Sequence, residues 1–416
     1  MLRTYQTRTI EAVGQHLAGG AASVVVVAPT GAGKTVIGAE LVGGDERVLW
    51  LAHTRELVDQ AATRLRARYG IAAVGVVMPG VEETPTARVQ VSTAQTMLAR
   101  GDELEPFALL VLDEAHHYAA SQWRLLARLG KRTLGLTATP ERGDGKPLGD
   151  IFGAMVVTAS YSELIAGGWL VPAVVAQPER DLGSDLARDP IEAWQLYSGG
   201  AQSFIACARV DAAQEYAKRL RSLGVLAETV HAETPAVERA TTMERFRERH
   251  LRVLCFVDTL TEGVDVPEVA CVVLAKNFGH ASGYVQTTGR VLRPAPGKTS
   301  AMVVDLCGAS LRYGMPHDDR VYSLTGRAIS GGGEPPPGGG VAAFAQSVVG
   351  APLRLVGWEA PAPQPVVAPA APVDQRRMRR LQQLRELARK NRLGDAWVAT
   401  QYRSQFGEWP RKEWSA

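Results

Sequence analysis

One short segment restricts the fold of this chain more than any other: the glycine-rich sequence APTGAGKT at residues 28–35. It follows an apolar, β-branched run and precedes a helical pattern. Gly31 and Gly33 free the backbone to wrap a phosphate, so that N–H groups and a helix N-terminus point towards it. Lys34 then places a positive charge on the β- and γ-phosphates, and Thr35 offers a hydroxyl to Mg²⁺. The alternative interpretation is a glycine-rich turn that arises by chance.

A second segment, LLVLDEAHH, ends an apolar strand with the carboxylates of Asp113 and Glu114. A carboxylate at the carboxyl end of a parallel strand faces the crevice where nucleotides bind. Asp113 suits water-mediated coordination of Mg²⁺, and Glu114 can orient and deprotonate an attacking water. Taken alone, the pair also fits a turn or a helix cap. Together with the glycine-rich loop it predicts hydrolysis of ATP with Mg²⁺.

Apolar strand patterns alternate with amphipathic helical patterns from the N-terminus to about residue 325. ASVVVVAP, RVLWLAH, RVQVST, ALLVLDEA and RTLGLTATP form a first set of predicted strands. AQSFIACARV, VLAETVHAE, LRVLCFVDT, VACVVLAKN and SAMVVDLCG form a second set after the segment GGWLVPAVVAQPERDLGSDLARDP. Continuous apolar strands with helical crossovers predict parallel, doubly wound sheets. A chain of 416 residues is also too long for one ordinary core. We therefore predict an α/β protein with two tandem lobes.

The remainder of the chain differs in composition. Glycine and proline occupy 17 of the 42 positions from 331 to 372, which predicts a linker. Within it the island PLRLVGWEA is a candidate strand that docks back on the second lobe. The predicted domains are residues 1–168, residues 169–328, a linker at 329–372 and a small helical, tryptophan-rich module at 373–416.

Charge is distributed unevenly between the C-terminal module and the rest of the chain. Eleven Lys/Arg against five Asp/Glu give residues 373–416 a net charge of +6, although the whole chain carries only +3. The basic residues of the module either bind a phosphate backbone or form a solvated helix face. A surface for a protein partner is a further interpretation of the same module.

Several classes of protein are disfavoured by the sequence. No apolar run approaches the roughly 18 residues of a membrane span, and the N-terminus MLRTYQTRTI lacks the apolar core of a signal peptide. We therefore expect a cytoplasmic protein without membrane contact. The four cysteines are scattered among apolar runs and form no C-x-x-C pair, so we expect buried thiols and no zinc site.

The order of these and further motifs resembles a superfamily 2 DEAD/DEAH-box helicase, in its RadD-like and XPB-like bacterial branch. In the first lobe the resemblance rests on RTYQ (3–6), APTGAGKT, LAHTREL (51–57), VSTAQTM (91–97), DEAH (113–116) and TATP (137–140). In the second lobe it rests on SFIACARVDAAQEYAKRL, DTLTEGVDVP (258–267) and QTTGRVLRP (286–294). The resemblance implies two RecA-like lobes with ATP between them. RadD-like relatives often carry a cysteine zinc cluster where this chain has its Gly/Pro linker.

The resemblance also implies roles for individual residues at the nucleotide. Tyr5 would stack on the adenine and Gln6 would hydrogen-bond its edge. The implied catalytic residues are Lys34, Asp113, Glu114, Gln286, Arg290 and Arg293, of which the last three face the γ-phosphate from the second lobe. The implied nucleotide-binding residues are Arg3, Tyr5, Gln6, Pro29, Thr30, Gly31, Ala32, Gly33, Lys34, Thr35, Gly263 and Asp265. Thr35 and Asp113 would hold Mg²⁺.

A nucleic-acid track is implied across both lobes, opposite the nucleotide. Its residues would be His53, Thr54, Arg55, Thr93, Gln95 and Thr259, and His116, Thr137, Thr139 and Glu262 would couple the track to the nucleotide. Taken singly, each of the track residues also fits a helix cap or an exposed polar position. Contacts of this kind position a strand without reading its sequence. DNA is the favoured partner by resemblance, and RNA remains open because it shares the phosphate backbone.

Three functions fit these observations. The first is an ATP-dependent helicase or translocase acting on DNA. The second is a motor subunit that serves a nuclease or repair complex. The third is a nucleic-acid clamp that ATP closes without unwinding, an option that remains because no accessory domain interrupts residues 1–325.

Overall fold

Two mainly parallel sheets account for most of the structure, a computed structural model of the chain. It describes residues 2–84, 86–100, 107–118, 122, 125–140, 147–257, 266–325, 329–330, 353–357, 381, 384–386, 388, 398–399 and 402. Contacts divide the chain into two units, Met1–Ala360 and Pro361–Ala416. Both sheets belong to the first unit.

The first sheet has eight strands in the order β4-β3-β5-β2-β6-β7-β1-β8, and only β4 runs antiparallel to its neighbour. The strands are β1 (Ser23–Val27), β2 (Val48–Ala52), β3 (Val74–Met78), β4 (Val81–Glu83), β5 (Val89–Thr93), β6 (Phe107–Asp113), β7 (Gly130–Thr137) and β8 (Ala154–Val157). Its helices are α1 (Thr4–Ala18), α2 (Lys34–Leu41), α3 (Arg55–Tyr69) and α4 (Ala94–Ala99). The strand β2 is buried along its whole length and β1 from Val24 onward, because helices cover both faces of the sheet.

The helix α5 (Tyr161–Ala166) and the segment 167–172 lead into the second sheet. That sheet has seven strands in the order β11-β12-β10-β13-β14-β9-β17. They are β9 (Ala173–Gln177), β10 (Ser203–Cys207), β11 (Ala227–Val230), β12 (Val253–Phe256), β13 (Cys271–Ala275), β14 (Ala301–Asp305) and β17 (Arg354–Val356). The helices are α6 (Pro190–Tyr197), α7 (Val210–Ser222), α8 (Ala236–Arg247), α9 (Ala281–Gly289) and α10 (Ala309–Tyr313). A two-stranded ribbon pairs β15 (Arg320–Val321) with β16 (Ile329–Ser330).

The predicted strand patterns correspond to ten observed strands, β1, β2, β5, β6 and β7 in the first sheet and β10 to β14 in the second. The candidate island strand is confirmed, since β17 pairs antiparallel with β9. Two parts of the proposed linker at 329–372 are therefore strands. Its first two residues form β16, which was not predicted, and residues 354–356 form the candidate strand β17. The sequence analysis missed β9, which lies inside the segment taken to separate the two sets.

All four cysteines are buried and free, as expected. In the second unit the structure describes one small apolar cluster, formed by Leu381, Leu384, Ala388, Val398 and Tyr402. Apart from Arg385, Glu386 and Ala399, the other residues of the predicted basic module lie outside the described part of the chain. Among the helices that the structure describes, none is long and apolar enough to cross a membrane.

The strand order of the first sheet determines where its motifs meet. The phosphate-loop sequence follows β1, the Asp-Glu pair ends β6, and TATP begins at the end of β7. These three strands are parallel neighbours in the order β6-β7-β1. Their carboxyl ends therefore lie side by side, so segments separated by up to about a hundred residues converge on one edge of the sheet.

Candidate active site

The phosphate loop has the backbone geometry that its glycines predict. Gly31 and Gly33 have φ angles of 91° and 85°, and Gly33 is the N-cap of α2. Side chains are disfavoured there because a Cβ in the left-handed region meets the backbone. A Cβ added at Gly33 would also lie 2.6 Å from Gln6 Nε2. The loop therefore leaves its N–H groups at a helix N-terminus, which is an arrangement that binds anions.

Two residues of the RTYQ segment donate hydrogen bonds to the backbone of the phosphate loop. Tyr5 Oη donates to the carbonyl of Ala32 at 2.9 Å, and Gln6 Nε2 donates to the same oxygen at 3.2 Å. Tyr5 is buried in the apolar core, with only 3% of its surface exposed. The expected stacking of a base on Tyr5 is therefore wrong, because its ring presents no free face. The structure assigns both side chains to bracing the loop instead.

Lys34 and Glu114 form an ion pair at the mouth of the loop. Lys34 Nζ lies 3.2 Å from Glu114 Oε1, and both side chains are mostly buried. Glu114 adopts a left-handed backbone conformation with φ 48°, which is uncommon for a residue with a Cβ. Asp113 is buried beside it and accepts from the Glu114 backbone N–H at 3.1 Å. The predicted carboxylates and the predicted lysine thus lie in one place.

A chain of hydrogen bonds crosses from this carboxylate cluster to the second lobe. Gln286 Nε2 lies 2.9 Å from His116 Nε2, and His116 Nδ1 lies 3.0 Å from Thr137 Oγ1. An amide nitrogen only donates, so His116 Nε2 accepts and its Nδ1 carries the proton. Thr137 Oγ1 in turn donates to the Thr139 carbonyl at 2.7 Å. His116 Nδ1 is also 3.5 Å from Glu114 Oε2, a longer and weaker contact than that with Thr137.

The arginine-bearing segment after α9 packs directly on the phosphate loop. A Cβ added at Gly31 would lie 3.2 Å from Arg293 Cγ, and one at Gly289 would lie 2.8 Å from Thr30 Cβ. Arg290 is the buried C-cap residue of α9, while Arg293 is half-buried. The two lobes therefore meet at the loop, and the glycines at 31 and 289 permit that close approach.

The residues present fit a nucleotide with Mg²⁺. The loop offers a cradle that Cβ atoms would fill, together with the Lys34 ammonium and the positive end of the α2 dipole. Thr35 is half-buried beside the ammonium and offers a hydroxyl, and Asp113 offers a carboxylate. Within the described residues no group of three or more His, Cys, Asp and Glu side chains forms a metal cage. Mg²⁺ is usually held by one or two protein ligands together with phosphates and waters.

Known proteins share both lobes of this arrangement. Residues 1–142 match the family described as type III restriction enzyme, res subunit, and residues 191–295 match the helicase conserved C-terminal domain. The chain is 29% identical to the DNA 3'-5' helicase XPB of Mycobacterium tuberculosis over 70% of this chain and 58% of that protein. The chain belongs to helicase superfamily 2.

Two further similarities extend this comparison. A 51.5 kDa protein of a Lactococcus phage is 27% identical over 72% of this chain and 69% of its own length. A fragment assigned to the HsdR subunit of a type I restriction enzyme from Vibrio vulnificus superposes with a TM-score of 0.59 at 21% identity, covering 79% of this chain and 70% of that one. The last likeness concerns the fold alone. The chain spans about half to two thirds of the length of the curated relatives that head the matches.

The structure describes only some of the residues that were expected to contact nucleic acid or to couple it to the nucleotide. Thr54 caps α3 by accepting from Leu57 N at 3.3 Å, and Thr93 caps α4 by accepting from Thr96 N at 3.2 Å. Both threonines thus have the structural role that was the alternative interpretation. Arg55 and Gln95 are exposed. Thr259, Glu262, Gly263 and Asp265 lie outside the described residues.

The sequence analysis missed two interactions that extend the site. The exposed ring of His53 stacks on that of His117, with centroids 4.7 Å apart and planes at 9°, which joins LAHTREL to the residue that follows DEAH. Arg239 Nη1 on α8 lies 3.2 Å from Glu56 Oε1 on α3, a second polar link between the lobes. Neither contact has a signal in the sequence, because each joins two polar residues that no local pattern connects.

Lys298 ties the arginine-bearing segment to the residues that follow DTLTEGVDVP. Its Nζ donates to the carbonyls of Pro267 and Val269 at 2.8 and 2.7 Å. Burial lowers the pKa of Lys298 to about 7, although nearby Glu268 acts in the opposite direction. This buried amine was not singled out from the sequence, since a lysine after a Pro-Gly pair is typical of an exposed turn.

Proposed function

We propose that this chain is an ATP-hydrolysing motor that moves along nucleic acid, with DNA as its substrate. The observation that carries the proposal is the hydrogen bond between Gln286 of the second lobe and His116 of the first. His116 lies two residues after Glu114 in the sequence. It connects the carboxylate that would activate water to the second lobe. Such a link lets the position of the second lobe affect hydrolysis, as a motor requires.

The geometry supports a sequence of events at Glu114. Lys34 Nζ lies 3.2 Å from Glu114 Oε1. Phosphate oxygens compete for the ammonium, so ATP binding releases the carboxylate to orient and deprotonate a water. Bound Mg²⁺ supplies positive charge that neutralises the phosphate oxygens. Thr35 and Asp113 are the residues that would hold it.

Arg293 and Arg290 supply positive charge to the γ-phosphoryl group from the second lobe. Arg293 packs on Gly31, so its guanidinium reaches the phosphate loop only while the lobes are together. A guanidinium stabilises charge on the γ-phosphoryl group in the transition state. Loss of that group after hydrolysis removes the attraction and permits the lobes to part. Alternation between these two states is a hinge that can step along a strand.

Support for DNA comes from the relatives rather than from any base-reading residue. The Mycobacterium tuberculosis relative is named a DNA 3'-5' helicase, and the chain matches 58% of its length. Arg55, Gln95 and the His53–His117 stack offer exposed donors and an aromatic surface on one lobe. Such groups contact phosphates and sugars, which both DNA and RNA possess. The choice of substrate is therefore the first thing to measure.

The test is the rate of ATP hydrolysis with no nucleic acid, single-stranded DNA, duplex DNA and single-stranded RNA. Lys34→Ala serves as the blank because it removes the phosphate-binding charge. We expect stimulation by one form of DNA and no turnover in the blank. Full activity of Lys34→Ala would overturn the assignment of the site. Equal rates of ATP hydrolysis with and without each nucleic acid would contradict the proposal that the chain is a motor.

Movement is tested separately from hydrolysis. We expect ATP-dependent displacement of a strand or of a bound protein block from the DNA form that stimulates best. Retention on DNA that depends on ATP, without displacement, would instead identify the clamp. A single-turnover format distinguishes the two, because a motor displaces the strand or block when ATP is hydrolysed whereas a clamp releases its substrate without displacement.

A second candidate function is that of a motor subunit in a nuclease or repair complex. It is favoured by the match of residues 1–142 to the res subunit of type III restriction enzymes. A protein partner would bind through the C-terminal module, which has a net charge of +6. We expect no DNA cleavage by the chain alone with ATP and Mg²⁺, and a nuclease among the proteins that co-purify with it. Cleavage by the purified chain would contradict this candidate.

A further inference from the structure

Two exposed histidine rings lie face to face at one edge of the first sheet. His53 directly follows β2, and His117 ends the short turn that follows β6. The strands β2 and β6 are parallel neighbours, so their carboxyl ends bring both residues to the same edge. The ring centroids are 4.7 Å apart and the planes differ by 9°, which is a stacked arrangement. Because both side chains are exposed, the stack is part of the surface that carries LAHTREL.

The ring contacts continue from this stack towards the buried link between the lobes. The ring of His117 has its centroid 4.1 Å from that of His116, with the planes tilted by 42°. His116 is only 5% exposed, and its two ring nitrogens contact Gln286 and Thr137. His53, His117 and His116 therefore form a histidine ladder that leads from the surface to the hydrogen bond between the lobes.

The backbone of His117 is tied to the residue that would activate water. His117 N donates to the carbonyl of Glu114 at 3.0 Å, within the 3₁₀ turn Ala115–His117. Glu114 itself has φ 48°, a conformation that persists only where the surrounding structure holds it. A single hydrogen-bonded turn leaves its residues little independent movement, so a shift of His117 also shifts the backbone of Glu114.

We propose that His117 is a positioning residue that couples nucleic acid to ATP hydrolysis, through its ring on His53 and its backbone on Glu114. The inference rests on the proposed function, since it assumes that nucleic acid stimulates hydrolysis and lies along the surface that includes His53. A phosphate or sugar against His53 fixes that ring, and the stack then fixes His117 and the turn that carries Glu114. The family resemblance gives a coupling role to His116 and none to His117.

The size of the effect follows from the chemistry of a stack. A stacked aromatic pair changes an equilibrium by roughly 2- to 10-fold beyond the area that it buries. The histidine ladder can therefore supply that much of the stimulation by nucleic acid. An aromatic residue without ring nitrogens can replace His117 in this role, because the contact with His53 is between ring faces.

The test measures the ratio of stimulated to unstimulated hydrolysis in the full chain. Both rates are taken at saturating ATP, and the stimulated rate also at saturating concentration of the DNA form that stimulates the wild type best. We expect His117→Ala to lower this ratio roughly 3- to 10-fold, with the KM for ATP unchanged within about twofold. His117→Phe should restore most of the ratio. His250→Ala, which removes an exposed histidine of the second lobe, is the matched control.

A second arm tests whether the effect passes through the stack. His53→Ala is combined with His117→Ala, and the DNA affinity of each variant is measured beside the ratio. We expect the double substitution to lower the ratio little more than His117→Ala alone, because either change already removes the ring contact. Effects of His53 and His117 on the ratio that simply multiply would contradict coupling through the stack.

Each other outcome has a definite meaning. An equal fall of both rates in His117→Ala would overturn the inference, because the substitution would then act on Glu114 or on the fold without nucleic acid. An unchanged ratio would overturn it as well and leave the stack as a surface contact. A wild-type chain that hydrolyses ATP but is stimulated by no nucleic acid would overturn the proposed function itself. If His117→Ala does not fold, His117→Leu is compared with His117→Phe, and equal ratios in the two would contradict a role for the ring.

Discussion

At the scale of single residues, the site depends on charges that change partners. Lys34 and Glu114 form an ion pair, and each has a separate proposed task when a nucleotide is bound. Arg293 approaches the same loop from the second lobe and packs on Gly31. The chemistry therefore depends on which partner each charge has, and single substitutions should separate binding of ATP from its hydrolysis.

The first prediction concerns Arg293. Arg293→Ala should leave ATP affinity near normal and lower the rate of hydrolysis by about 10³-fold or more, as for other arginines supplied to a γ-phosphate. Affinity is measured by titration with a nonhydrolysable analogue and the rate by single-turnover hydrolysis. Arg247→Ala, which removes an exposed arginine paired within α8, is the control. A loss of affinity equal to the loss of rate would make Arg293 a nucleotide anchor instead.

The second prediction uses the buried amine of Lys298, whose pKa is lowered to about 7 by burial. An unfolded lysine titrates near 10.4, so between these values the unfolded chain binds a proton that the folded chain does not. The free energy of unfolding should therefore rise with pH across this window, by about 1–3 kcal/mol after allowance for partial exposure. Lys298→Met should remove that rise.

Urea unfolding near pH 7 and near pH 9.5 measures the Lys298 effect. Lys218→Met, which replaces an exposed lysine on α7, is the matched control and should keep the wild-type dependence. The same rise in Lys298→Met as in the wild type would show that another group causes it.

At the scale of elements, the site is assembled from the ends of strands and one helix of the other lobe. The carboxyl ends of β6, β7 and β1 bring Asp113, Thr137 and the loop to one edge. The helix α9 then presents Gln286 to His116 across the interface. Because these side chains are connected by hydrogen bonds, a change in the angle between the lobes would alter the contacts of Glu114 without any movement of the sheet itself.

The third prediction follows from this shared network. His116→Ala and Gln286→Ala should each reduce nucleic-acid-stimulated hydrolysis, and the double substitution should be little worse than either single one. Such non-additivity measures the coupling between the two side chains. Stimulated and unstimulated rates are compared in all four proteins, with His280→Ala, an exposed histidine at the start of α9, as the control. Strict additivity would contradict a direct contact in the working state.

At the scale of the whole molecule, basic charge is separated from the catalytic lobes. Residues 373–416 carry +6, so the preceding 372 residues sum to −3. The unit Pro361–Ala416 has its own small apolar cluster. A distinct unit with a net positive charge is suited to hold nucleic acid while the lobes open and close, because phosphate attraction does not depend on a single geometry.

The fourth prediction is that deletion of residues 361–416 leaves unstimulated hydrolysis intact and weakens DNA binding in a salt-dependent way. Each phosphate contact contributes about 0.9 to the slope of log affinity against log salt for duplex DNA. We expect the magnitude of the slope to decrease by about 2 or more. Replacing Arg376, Arg377, Arg379 and Arg380 by Gln is the matched variant, since it removes charge without shortening the chain. Unchanged slopes in both would assign the unit to packing or to a protein partner.

What the sequence alone determined about this protein is its local chemistry. The phosphate loop, the carboxylates at the end of β6 and ten of the strands follow from patterns within a few residues, because loop geometry and strand burial depend on neighbours along the chain. Even the approach of Lys34 to Glu114 could be anticipated, since the carboxyl ends of parallel strands share an edge.

Only the tertiary structure decided which side chains have a free surface and which meet across the lobes. Tyr5 carries the expected motif and yet is buried behind the loop, whereas Trp169 lies in no motif and yet is exposed against Arg3. The strand β9 was missed, because it lies inside the segment taken to separate the two sets of strands. These outcomes depend on packing between segments far apart in sequence, and local hydrophobic patterns carry no information about which distant surface will cover a given residue.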